Sequence, residues 1–131
     1  MKPAARIARK SPEADIQRSI VKTLRLLLPA GSIVHHSPNE VRQGGEDGRL
    51  KQALAVGMGL HPGFSDLIVL SEGRVLFLEL KAPTGRLSES QRIFRDRVRA
   101  QGHAWGMARS LDEALDVLRA EGFATRIRSL A

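Results

Sequence analysis

The stretch DLIVLSEGRVLFLELK, residues 66–81, decides the fold. Two runs rich in Leu, Val and Ile flank Glu72-Gly73, and a two-residue loop ending in glycine is a hairpin signal, because tight hairpin turns need left-handed backbone. With Glu72 and Gly73 as the loop, Ser71 faces Arg74 and, counting outward, Asp66 faces Glu79. Directly opposed side chains in an antiparallel pair stand about 5 Å apart at Cβ on one face. Lys81 lies two residues past Glu79, so the period of two puts it on that face as well. That face reads Val75, Phe77, Leu70 and Ile68, with Asp66, Glu79 and Lys81 at one end; the other reads Leu67, Val69, Leu76, Leu78 and Leu80. Both are apolar enough to be covered by helices. Ionisable groups at the margin of a core are rarely buried unless paired or bound to a metal.

Downstream, residues 88–101 carry helical spacing through Phe94 and Val98, and Ser88-Glu89-Ser90-Gln91 has the form of a capping box. Residues 103–108 read as a strand and residues 110–120 as a further helix. Upstream, GMGLHPG (57–63) is a glycine-rich turn, residues 49–56 a short helix, SPNEVRQGGEDG (37–48) a long loop and residues 32–36 a short strand. Ile16, Ile20, Leu24 and Leu27 recur at helical spacing between a Ser11 cap with Pro12 at the first position and the stop at Pro29 and Gly31, which predicts a helix over 12–28. Glu13 and Gln17 continue its apolar stripe toward the helix N-terminus. Residues 1–10, with Lys2, Arg6, Arg9 and Lys10, read as a basic flexible arm, and residues 11–131 as one domain. The order of elements predicts an α/β fold, a mixed sheet with helices on both faces.

The composition narrows the chemistry. A chain of 131 residues with 42% hydrophobic content suits one domain. The absence of cysteine excludes disulfides, thiolate zinc sites and cysteine nucleophiles. Lys and Arg outnumber Asp and Glu by 21 to 14, a net charge of +7, and the pI is near 11.0. Such a balance is the footprint of a polyanion binder, nucleic acid first. With 4% aromatics and no tyrosine there is little to stack bases on, so contacts to backbone phosphate are expected. No apolar run approaches the ~20 residues of a membrane span and no secretion signal opens the sequence, so no membrane partner and a cytoplasmic location are expected. His35, His36, His61 and His103 lack metal-ligand spacing, and zinc is not expected.

Two carboxylates held about 5 Å apart repel each other unless a cation lies between them. Mg²⁺ or Mn²⁺ prefers such oxygen ligands, and phosphodiester hydrolysis is the chemistry they serve. Lys81 would either orient the attacking water or hold a phosphate oxygen. A salt-bridge cluster at a strand end is the structural alternative for the three residues. Gln91 has a purely structural role open to it as the third residue of a capping box, and Glu13 one in the first turn of a helix. Arg92, Arg95 and Arg99 form one helical face, interrupted by Asp96, that is either solvated or in contact with phosphate. Arg86 beside them, and Asn39, Arg42, Arg49 and Lys51, are the other candidates for holding DNA.

Asp66, a twelve-residue gap and Glu79-Leu80-Lys81, preceded by Gly63-Phe64-Ser65 and followed by a Ser-x-x-Gln helix start, resemble the PD-(D/E)XK nuclease superfamily, specifically the VRR-NUC family. The resemblance runs from about Glu13 to Leu118 and takes in Gln17 and Asn39. It implies a restriction-endonuclease-like fold and a Mg²⁺- or Mn²⁺-dependent DNA endonuclease. Asp66, Glu79 and the Leu80 carbonyl would ligate the metal, Glu13 would be an outer or second-metal ligand, Lys81 would serve the water and Gln91 would support the site. It further implies the short stand-alone phage and bacterial type, acting as a homodimer on branched or junction DNA in replication, repair or recombination. Ser65 stands where the superfamily places proline, a position that shapes the turn and ligates nothing. The rival from another class is a non-catalytic DNA-binding module that keeps the nuclease fold.

Overall fold

The computed structural model describes residues 12–38 and 45–126. The basic arm and the Ser11 cap lie outside them. The elements follow the order α1 (Pro12–Leu27), β1 (Ile33–His36), α2 (Gly45–Gly57), β2 (Leu67–Ser71), β3 (Arg74–Leu80), α3 (Glu89–Ala100), β4 (Ala104–Ala108) and α4 (Leu111–Ala120). Four strands form one sheet in the order β1-β2-β3-β4, antiparallel except for the parallel β3–β4 pair that α3 connects.

The hairpin forms as its turn chemistry dictates. Glu72 and Gly73 both have positive φ, 50° and 81°, and the register pairs Ser71 with Arg74 through to Leu67 with Leu78. The two faces of the sheet then divide the molecule. Leu67, Val69, Leu76, Leu78 and Leu80 are at most 1% exposed and pack with Ile20, Leu24 and Leu28 of the α1 region and with Ala114, Leu115 and Leu118 of α4. On the opposite face Phe77 and Trp105 pack with Phe94 and Val98 of α3 and with Phe64. That face is only half covered. At its β1–β2 end Ile33 and Leu70 remain exposed, because α3 follows β3 and returns to β4, and so shields that side of the sheet alone.

α2 departs from the sequence expectation. It begins at Gly45, within the stretch expected as loop, and runs for thirteen residues rather than eight. Gly45 and Gly48 conceal its start, since glycine has poor helix propensity, while Asp47 in the first turn suits the helix dipole. Leu50, Leu54 and Val56 on this helix, and Met58 after it, are exposed. The strands at 32–36 and 103–108 each begin one residue later than expected. Among the described residues no helix is long and apolar enough to cross a membrane.

Candidate active site

The site forms where β2 begins and β3 ends. The β2–β3 ladder stops at Leu67, one residue short of the Asp66–Glu79 pair expected to close it. Asp66 instead occupies a bend. Its backbone carbonyl accepts from Ser37 N–H at 2.9 Å, and its carboxylate Oδ2 accepts from Leu80 N–H at 2.8 Å. The side chain therefore replaces the ladder bond that the bend forgoes. Within an extended strand the N–H and C=O of one residue point to the same side. The Leu80 carbonyl is therefore on the Asp66 side of the strand.

Glu79 is 2% exposed. Its Oε2 accepts from Gln91 Nε2 at 3.0 Å and lies 3.8 Å from Lys81 Nζ, while Oε1 is buried. Burial first, then the charge of Asp66 and a hydrogen bond shared with its carboxyl, and the charge of Glu13, push the Glu79 carboxyl up to about 9, with Lys81 acting in the other direction. Two carboxyls this close, one of them buried, hold either a shared proton or a cation between them. Lys81, also buried, donates its backbone N–H to Ala108 O at 3.0 Å, which ties the end of β3 to the end of β4.

Gln91 is both structural and part of the site. Its backbone N–H donates to Ser88 Oγ at 3.2 Å and its Oε1 accepts from Ser88 N–H at 2.9 Å, completing the capping box, so Nε2 is left to reach Glu79. The loop before β2 is fitted against the same helix end. At Gly63, φ is +79° and a Cβ would collide with the backbone of Ser90 and Gln91, so only glycine allows this approach between the Asp66 loop and α3.

Glu13 lies close enough for its charge to act on Glu79. Among the described residues, however, no three acidic or histidine side chains converge as a metal cage. A cation here would take two carboxylates, Asp66 and Glu79, with the Leu80 carbonyl as third protein ligand. Oxygen-only donors, with a buried carboxyl set against a second one, fit Mg²⁺ or Mn²⁺.

Of the residues expected to hold DNA, Asn39 and Arg42 lie outside the described residues. Arg49 and Lys51 are exposed on α2, and Arg86 is exposed in the loop before α3. Arg92 donates to Leu87 O at 2.7 Å, and Arg95 meets Asp96 at 2.9 Å. Arg109 was not among the expected residues. It donates to Gly85 O at 2.8 Å and so braces the loop that follows Lys81. Only the parallel β3–β4 pairing brings it there, and nothing local in the sequence signals that neighbour.

The family model for the VRR-NUC domain matches residues 11–112. A solved structure described as a VRR_NUC domain protein superposes with a TM-score of 0.67 at 19% identity, covering 87% of this chain and 90% of its own. A second, described as a VRR_NUC domain, superposes with a TM-score of 0.57 at 20% identity, covering 87% of this chain and 100% of its own. At these identities the likeness to the solved structures is one of fold. No functionally curated protein matches the chain.

Proposed function

The chain belongs to the VRR-NUC domain family, whose members are generally nucleases, and from its acidic pocket we propose that it is a Mg²⁺- or Mn²⁺-dependent DNA endonuclease. The observation that carries this reading is the buried Glu79 carboxyl, fixed through one oxygen by Gln91 and set against Asp66, two carboxyls that share a proton unless a cation lies between them.

Asp66, Glu79 and the Leu80 carbonyl would hold the cation, with Glu13 at longer range. Bound there, it would supply an activated water and offset the charge that develops on the phosphate. Lys81, 3.8 Å from Glu79 Oε2, places a positive charge at the edge of that pocket, where it orients the attacking water or holds a phosphate oxygen. Gln91 keeps the Glu79 carboxylate in one orientation. Net charge +7 supports DNA as partner, held through backbone phosphates by Arg86, Arg92 and Arg95 beside the pocket and by Arg49 and Lys51 on α2. Cutting both strands of a branched or junction substrate needs two such sites, hence a homodimer working in replication, repair or recombination in the cytoplasm.

The test is incubation with duplex, flap and four-way-junction DNAs, with and without Mn²⁺. Cleavage with Mn²⁺ alone is expected, and a preference among the panel identifies the substrate. Binding without cleavage in the presence of Mn²⁺ would place the chain in the other class, a DNA-binding module that retains the fold.

A further inference from the structure

Away from the carboxylates, a second cluster of charge is built on Trp105. This indole is 6% exposed, packed between β4 and α3, and its Nε1 has no hydrogen-bond partner among the described residues. It is too buried to stack on a base. Instead the guanidinium carbons of Arg95 and Arg99 lie 5.9 and 5.3 Å from its ring centroid. The two arginines are four residues apart on one face of α3, where like charges repel. Cation–π attraction to a single buried ring holds them together against that repulsion.

Arg95 is ion-paired with Asp96, which takes its Nε at 2.9 Å and leaves its terminal nitrogens. Arg99 spends one terminal nitrogen on the Trp105 carbonyl at 3.4 Å. Two partly immobilised forks gathered on one ring suit a tetrahedral oxyanion, because arginine presents donors in a fixed plane and less freedom is lost on binding.

Their position follows from α3 itself. Gln91 at its N-terminal end touches Glu79, and Arg95 and Arg99 follow it by about 6 and 12 Å at 1.5 Å per residue. A strand of DNA advances about 3.4 Å along the axis per phosphate. We infer that Arg95 and Arg99, braced by Trp105, clamp one backbone phosphate of the substrate strand about two to four nucleotides from the scissile one. The inference rests on the nuclease reading and deepens it: the substrate must extend past the cut along α3.

The experiment measures binding of the full chain, in chelator, to fluorescein-labelled duplex DNA, and KM for cleavage with Mn²⁺. The charge-retaining pair Arg95→Lys with Arg99→Lys should weaken binding about tenfold, since the number of charges is unchanged and only the forks are lost. Arg99→Gln should lower the salt slope by about one unit. Asp96→Asn, which frees the Nε of Arg95, should tighten binding. Asp96 and Arg99 are exposed and Arg95 is partly buried, so a thermal melt within a few degrees of wild type accompanies the expected result. Substrates cut back until the phosphates two to four nucleotides from the cleavage site are gone should lose their sensitivity to the lysine pair. Wild-type affinity in the lysine pair, or an unchanged loss on cut-back substrates, overturns the clamp while leaving the nuclease intact. A wild type that neither binds nor cleaves DNA overturns both readings.

Discussion

Gln91 donates its Nε2 hydrogen to Glu79 Oε2 at 3.0 Å while its Oε1 accepts from Ser88 N–H at 2.9 Å. One amide thus caps a helix and aligns a buried carboxylate, so helix α3 cannot fray at its start without releasing Glu79. Gln91→Glu keeps an acceptor for the cap but replaces the donor to Glu79 with a third carboxylate beside Asp66 and Glu79. It should keep the helix start, lower the melting temperature modestly through the lost buried hydrogen bond, and lower cleavage sharply. Gln91→Ala should lose both, with a cap penalty of about 1 kcal/mol. Thermal melts paired with cleavage rates check the split.

Asp66→Asn and Lys81→Ala should each slow cleavage by at least about a hundredfold, the scale for removing a preorganised electrostatic group. Chelator should abolish it in the wild type. Full activity in either variant would sink the assignment of the site.

The pH dependence of stability has a definite sign. Glu79 titrates at about 9 in the folded chain and near 4.5 when unfolded, so across that range the native state holds a proton that the unfolded state has released. Stability of the metal-free protein from this group is complete below about pH 4.5 and declines as pH rises toward 9. Glu79→Gln mimics the protonated form and should flatten that decline, read from melts of both proteins across the range.

Mn²⁺ should raise the melting temperature of the wild type by mass action, with most of the shift gone in Asp66→Asn and in Glu79→Gln. Because the cation competes with the Glu79 proton, the shift should grow with pH. A metal-insensitive wild type together with variants less stable than it would favour a structural ion-pair cluster.

Affinity for duplex DNA should fall steeply with salt, by about one logarithmic unit per decade for each phosphate contact made. Removing Arg92 should reduce that slope, whereas a salt-independent affinity would exclude backbone phosphate as the main contact. Titrations at several salt concentrations decide it.

The sequence by itself determined what short-range physics controls. Turn chemistry at Glu72-Gly73 set the register of the hairpin, alternation divided its side chains between two faces, and Ser88 with Gln91 marked the start of α3. These follow from backbone sterics and from hydrogen bonds a few residues apart, as does the placing of Glu79 and Lys81 on a common face. The tertiary structure decided the rest. That Asp66 leaves the ladder and bonds Leu80, that Gln91 both caps and touches Glu79, that Arg109 braces the loop after Lys81, and that Trp105 gathers two arginines all depend on elements far apart in the chain. The burial that pushes Glu79 to about 9 has the same origin. No local pattern encodes it, because desolvation is a property of everything packed around a group rather than of its sequence neighbours.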